Sequence, residues 1–170
     1  MIFVIICISV VVALIVINFL EWFVHGPLMH GKRELLEHRS HHEEYPPQNY
    51  QNSEHGPHVH LPWWVGAIIA GVMTLLGSFI NYLTGLWVIT WCFAGTSIFG
   101  FWAYNYVHTC YHVPAGRWFE TTRWYCFMNR YHFKHHARGY VSGKFTNICV
   151  LFPLADWVMG RLLRPKKFKL

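Results

Sequence analysis

Charge is scarce in this sequence. Only 13% of its 170 residues are Asp, Glu, Lys or Arg, and just eight are acidic. Hydrophobic residues make up 54%, and the mean hydropathy is +0.22. The apolar residues come in long blocks, with the charged ones between and after them. That is the pattern of a bilayer protein and argues against a soluble core. No CxxC pair occurs among the five cysteines, Cys7, Cys92, Cys110, Cys126 and Cys149. They read as small buried hydrophobes in a reducing setting. No basic stretch precedes the first apolar run, which starts at Ile2, and no small-residue cleavage site ends it. The run therefore reads as a retained membrane helix and not as a signal peptide. No ExxH motif falls on an apolar helix, so the carboxylate-rich ligand pattern of soluble di-iron bundles is missing. The formal net charge of +6 lies beside apolar segments. It disfavours nucleic acid and points to anionic lipid headgroups as partners.

The length suits one domain, residues 1–170. Residues 2–24 are almost wholly apolar and, at about 1.5 Å per residue, can cross a hydrocarbon core of about 30 Å. Residues 63–83 and 86–107 predict a second and a third crossing. Only Thr84 and Gly85 separate them, which predicts an antiparallel hairpin. Gly66, Ala70, Gly77, Ala94, Ser97 and Gly100 supply the small side chains that let helices approach closely in lipid. Pro62 suits a helix start, with Trp63 and Trp64 at interface depth. Residues 145–159 are apolar but interrupted by Pro153 and Asp156. They predict a partly embedded or re-entrant helix, with a full fourth crossing as the alternative. The expected fold is an all-α polytopic membrane protein with three or four transmembrane or re-entrant helices and a histidine-rich helical cap.

What the chain has in excess is histidine, thirteen in all, eight of them within residues 25–61. Three crossings carry the chain out at His25, across and back, and out again at His108. Both histidine-rich stretches then lie on one side of the membrane. Residues 108–170 hold eleven Lys/Arg and two acidic residues, which by the positive-inside rule makes that side cytoplasmic and puts the N-terminus across the membrane.

Ten histidines fall into four groups. His25 and His30 stand in HGPLMH, and His38, His41 and His42 in HRSHH. His108 and His112 stand in HTCYH, and His132, His135 and His136 in HFKHH. Residues three or four apart share a helix face, so each of the last three groups can direct several rings at one point. Neutral imidazole suits Fe, Zn, Cu and Ni. Ten nitrogens are enough for two ions of five or six coordination positions and too many for one. His55, His58 and His60 lack a helical context and read as surface, gating or supporting residues. Glu34, Glu37, Glu43, Glu44, Asn105, Asn129 and Asp156 are available to fix ring tautomers. Structural zinc sites usually close with four ligands, and transporters hold polar ligands along their membrane helices. Neither pattern suits this set.

The ordered groups HGPLMH, HRSHH, HTCYH and HFKHH resemble those of the fatty acid hydroxylase superfamily, over about residues 20–160. That superfamily includes sterol desaturases, fatty acid 2-hydroxylases and β-carotene hydroxylases. The resemblance implies a membrane-bound oxidoreductase in which His25, His30, His38, His41, His42, His108, His112, His132, His135 and His136 hold two Fe ions, with Zn as a substitute in purified protein. It implies O₂ as co-substrate and hydroxylation or desaturation of an unactivated C–H position of a lipid. Electrons would come from a separate cytochrome b5, or from ferredoxin with a reductase. The three-residue gap in HTCYH, with HFKHH, favours a fatty acyl or sphingolipid chain. Carotenoid or sterol substrates, and a nonenzymatic metal-binding subunit, stay open. Phe79, Trp87, Phe101, Trp102 and Tyr106 are candidates for an acyl path. Arg117, Arg123, Arg130, Arg138 and Lys144 are candidates for a phosphate or an acidic electron donor.

Overall fold

The computed structural model describes residues 1–30, 36, 38–52, 60–138 and 146–161. These form α1 (Ile2–Phe23), α2 (His38–Glu44), α3 (Trp63–Thr84), α4 (Val88–His112), α5 (Arg123–Arg138) and α6 (Leu154–Val158), and no strand occurs among the described residues. A π-helical turn, Val24–Met29, extends α1. Pro27 explains it. Proline has no N–H and collides with the carbonyl four residues back, and a wider turn relieves both faults.

α3 and α4 form the expected antiparallel hairpin. The register shows in two glycines. A Cβ on Gly77 would meet Phe93 and Thr90, whereas one on Gly66 would meet Phe101. Moving down one helix therefore moves up the other. Gly85 ends α3 in the left-handed region at φ 72°, where a side chain is disfavoured. α1 packs on α4 at the Ile17–Gly100 contact, and further along the two helices His25 lies beside Tyr104. α1 and α4 thus run parallel, and the ends carrying His25 and His112 coincide.

Ala13, Met73, Ile89 and Phe93 bury the centre of this three-helix unit. Its outer faces are apolar too. Phe3, Leu75, Trp91 and Phe99 are each more than 60% exposed, which suits lipid and not water. By length and composition, α1 with its π turn and α3 can each cross a membrane. α4 has the length, 25 residues, but Thr90, Ser97, Asn105 and its terminal histidines make it more polar.

The described part of the 145–159 stretch rules out the alternative of a full fourth crossing. That part is an irregular segment followed by α6, whose five residues rise only about 7.5 Å. That falls well short of a bilayer, so this helix is not a fourth full crossing. Pro153 and Asp156 account for the break. The segment is instead tied to the end of α1. Asn18 donates to the Phe152 carbonyl at 2.8 Å and accepts from the Ala155 amide at 2.9 Å. Glu21 accepts from the Val150 amide. Buried Asp156 accepts from the Tyr131 hydroxyl at 2.6 Å and the Cys149 amide at 2.9 Å. These bonds draw α5 over the ends of α1 and α4, where Tyr111, Tyr125, Met128 and Tyr131 pack into a second core. The five cysteines are unpaired, with Cys110 and Cys149 buried and Cys7 exposed.

Candidate metal centre

Ten histidines from four elements meet beneath this second core. Five, namely His41, His108, His112, His132 and His136, bring one ring nitrogen each within 4.8 Å of the others, and all five are buried. His25, His30, His38 and His135 form a second group by the same measure. His42 joins the second, with Nε2 3.1 Å from His38 Nε2 and 3.2 Å from His135 Nε2. Every residue predicted from the four motifs is therefore drawn into one of two sets of five.

Local structure explains how. On α2 and α5, rings three or four residues apart share a face, with centroids 4.7 Å apart for His38 and His42 and 4.8 Å for His132 and His136. Neighbouring rings diverge by about 100°, so His41 and His42 serve different sets, as do His135 and His136. Each of these helices thus bridges both sets. α4 gives His108 and His112 to one set. His25 and His30 are five apart, and on a regular helix they would diverge by about 140°. The π turn brings them together instead, stacked with centroids 5.6 Å apart.

The nitrogens are arranged for a cation. His38 Nε2 lies 3.0 Å from Nε2 of His25, 3.0 Å from that of His30 and 3.1 Å from that of His42. In the other set, His132 Nε2 lies 3.0 Å from His108 Nε2 and 3.3 Å from His112 Nε2. A neutral imidazole has one N–H and one lone pair. Pairwise hydrogen bonds cannot satisfy such a cluster, and most contacts would set lone pair against lone pair. Both ring nitrogens of buried His41, and Nε2 of His136, have no hydrogen-bond partner among the described residues. A cation resolves the conflict. Nitrogens at metal bonds of about 2.0–2.1 Å and right angles to each other lie about 3 Å apart, the spacing seen here. The residues fit a metal pair.

The outer ring nitrogens fix the tautomers. His112 Nδ1 donates to the Tyr50 carbonyl at 2.9 Å, His136 Nδ1 to the Tyr45 carbonyl at 2.8 Å, and His135 Nδ1 to the Thr146 carbonyl at 3.2 Å. For these three rings the partners are main-chain carbonyls and not the acidic side chains the sequence offered. Asn129 instead accepts from the Tyr50 hydroxyl, Asn105 from the Leu61 amide, and exposed Glu43 from Arg39. Glu34 and Glu37 lie outside the described residues. Nothing in the side-chain sequence marks Tyr45 and Tyr50 as the residues whose carbonyls accept these bonds, since that role belongs to the backbone path.

Burial pushes the pKa values of His38, His41, His132, His135 and His136 well below the usual imidazole value, and the charges of neighbouring histidines add to it. Burial likewise lowers His30 to about 4 and His42 to about 3. The rings are neutral at physiological pH, as metal ligands must be. Among the described residues, no Asp or Glu belongs to either set.

His60 is outside both sets, with Nδ1 3.3 Å from the Thr109 hydroxyl. His55 and His58 lie outside the described residues. Of the five acyl-path candidates, Phe101 lines an apolar cleft that also includes His25. Phe79, Trp87 and Trp102 point outward at 59%, 63% and 58% exposure, and Tyr106 is also exposed. Arg117 is paired with Glu120 at 2.8 Å and lies over the Tyr106 ring. Arg123 and Arg130 are exposed. The Arg138 side chain and Lys144 are outside the described residues.

Apolar helices of membrane-crossing length, capped at one end by clustered histidines, define a membrane protein with a histidine-rich site whose residues fit metal. The family model "Fatty acid hydroxylase" matches residues 10–161, and the chain belongs to that family, whose members are generally hydroxylases and desaturases. No curated protein and no solved structure matches the chain.

Proposed function

We propose that the chain is a membrane-bound non-haem di-iron oxygenase that hydroxylates an apolar lipid, with a fatty acyl or sphingolipid chain as the favoured substrate. The observation that carries this reading is the pair of converging nitrogen sets in a member of the fatty acid hydroxylase family. His41, His108, His112, His132 and His136 would hold one ion. His25, His30, His38, His42 and His135 would hold the other. When bound, the two irons supply O₂ activation and oxidation of a C–H bond.

The chain's own residues do the rest. Main-chain carbonyls at Tyr45, Tyr50 and Thr146 hold a proton on Nδ1 of His136, His112 and His135 and leave Nε2 free to bind. The core of Tyr111, Tyr125 and Tyr131 covers the site and excludes water. The apolar cleft beside His25 admits hydrocarbon.

The reaction is lipid–H + O₂ + 2e⁻ + 2H⁺ → lipid–OH + H₂O. A separate electron-transfer protein, cytochrome b5 or ferredoxin with its reductase, would deliver the electrons. The chain forms a single domain, residues 1–170, with α1, α3 and α4 crossing the bilayer. The histidine cap and basic C-terminus face the cytoplasm near anionic headgroups, and the N-terminus lies opposite.

The test is iron-loaded protein in vesicles supplied with ¹⁸O₂ and a reductant. The expected product is a lipid heavier by one labelled oxygen, absent without reductant. A product lighter by two hydrogens would establish desaturation. Bound iron without any oxidised lipid would favour a nonenzymatic subunit.

A further inference from the structure

The two nitrogen sets have their tautomers fixed by different stretches of chain. In the first set, the carbonyls of Tyr45 and Tyr50 accept from His136 at 2.8 Å and from His112 at 2.9 Å. In the second, the carbonyl of Thr146 accepts from His135 at 3.2 Å. The Ile148 carbonyl, two residues on, is directed at the buried His25 ring, outside full hydrogen-bond geometry. His135 and His136 are neighbours on α5, yet their Nδ1 protons go to stretches far apart in sequence.

Residues 146–150 are held by side chains and not by a regular element. Asn147 is the pivot. It is buried and left-handed, at φ 57°, a conformation asparagine adopts more readily than most residues with a side chain. The carbonyls on either side of it, at Thr146 and Ile148, thereby reach two different rings. Its side-chain amide donates to the Tyr131 carbonyl at 3.3 Å, which pins the stretch to α5 about one turn before His135. Its main-chain N–H donates to the Arg161 carbonyl at 3.3 Å. Next along, the Cys149 amide donates to Asp156 at 2.9 Å and the Val150 amide to Glu21.

We propose that Thr146–Val150 is the positioning element of the second set, and that Asn147 tunes the affinity of that ion while leaving the other unchanged. The inference rests on the two-ion part of the proposed function and not on its oxidation chemistry. A histidine holds a cation more firmly when its far nitrogen is oriented by a partner. Without the carbonyl, the ring can turn and either nitrogen can carry the proton. A change that loosens Thr146–Val150 therefore acts on His135 and His25. His112 and His136 keep Tyr50 and Tyr45. Asn147 acts through the Thr146 carbonyl and is a positioning residue.

The test is a cobalt(II) titration of the full chain in detergent, against a calibrated chelator. The visible ligand-field absorption reports coordination beside affinity. His41→Ala leaves the second set whole, and His25→Ala leaves the first whole. In the His41→Ala background, Asn147→Ala should weaken cobalt binding about 10- to 100-fold, as loss of an orienting partner does, and alter the absorption. Asn147→Gly keeps the left-handed turn and removes only the side-chain bond, so it should lose less. In the His25→Ala background, both substitutions should leave affinity and absorption unchanged. Tyr50→Ala should give the mirror pattern. Equal weakening in both backgrounds would mean that Asn147 serves only the fold of the cap, and would overturn the proposal. Unchanged affinity in the His41→Ala background would overturn it too. So would a His41→Ala chain that binds no cobalt, because the sets would then load as one unit. Each of these results leaves the oxygenase reading standing if the parent binds two ions. The expected pattern in a chain that yields no ¹⁸O-labelled lipid would uphold the positioning role and sink the oxygenase reading.

Discussion

His112 is held by Tyr50 across sixty-two positions of chain, its Nδ1 donating to the Tyr50 carbonyl at 2.9 Å. That bond decides which nitrogen of His112 is free, because a carbonyl can only accept. Nε2 keeps its lone pair and faces His132 at 3.3 Å. The Tyr50 side chain in turn anchors its backbone, with its hydroxyl bonded to Asn129 at 2.9 Å. Tyr50→Ala should weaken metal affinity about 10- to 100-fold, the usual effect of losing an orienting partner. Tyr50→Phe, which keeps the ring packing, should lose less. Competition against a calibrated chelator measures both, and equal affinity in all three proteins would show that the carbonyl is held by other means.

The two sets predict separable losses. His41→Ala and His25→Ala should each lower bound metal from about two ions per chain to about one, as expected if each set binds its own ion. Oxygenase activity should be lost in both. Elemental analysis paired with activity is the check, and loss of both ions in either variant would mean that the sets load as one unit.

Glycine substitutions should split by position. A Cβ on Gly77 would lie 2.9 Å from Phe93 Cβ and 3.0 Å from Thr90 Cα. A backbone atom cannot swing aside, so Gly77→Ala should cost about 1–3 kcal/mol by overpacking. Gly71→Ala meets nothing within 4 Å and should stabilise by up to about 1 kcal/mol through helix propensity. Unfolding in detergent distinguishes the two signs.

Asn18 is the tie between α1 and the segment before α6. Its amide serves both the Phe152 carbonyl and the Ala155 amide. Asn18→Ala orphans both, at about 1–3 kcal/mol for each buried group left unpaired. Limited proteolysis should then cut within residues 146–161 sooner than in the parent. An unchanged cleavage rate would show that Glu21 and Asp156 hold the segment without it.

Acid should unfold the metal-free protein early. Burial lowers His30 to about 4 and His42 to about 3, against an unfolded value of about 6.5. Between those limits the unfolded chain binds protons that the folded one refuses, so stability falls as pH drops below about 6.5. Above about pH 7 the histidine contribution is complete and flat. Thermal melts of chelated protein across pH 4–8 should show this slope, and bound metal should raise the melting temperature by mass action. A melting temperature flat from pH 7 down to 4 would mean that the rings are hydrated.

Much of the site was legible in the sequence. HRSHH, HTCYH and HFKHH carry their geometry in their spacing, because helical residues three or four apart must share a face. The long apolar runs Ile2–Phe23 and Trp63–Thr84 announce helices by composition alone, and the short Thr84–Gly85 link dictates the hairpin. HGPLMH was less transparent, since a five-residue spacing scatters rings on a regular helix and only the widened turn at Pro27 gathers them. The tautomer-fixing partners were not legible at all. They are carbonyls, which every residue possesses, so no side chain advertises them. The 146–161 segment was legible only as something less than a full crossing: its backbone is tied down by Asn18, Glu21 and Asp156, partners that lie far away in sequence or just along the segment and that periodicity does not reveal.

The sequence by itself determined that ten imidazoles would gather at one end of apolar helices, eight of them on helix faces, because periodicity and hydropathy are local properties. Only the tertiary structure divided those ten into two sets of five, sending adjacent His41 and His42 to different partners, and likewise His135 and His136. Such a division depends on where helices distant in sequence cross. The close approach of α1 to α4 at Ile17 and Gly100 and the tie at Asn18 contribute to those crossings.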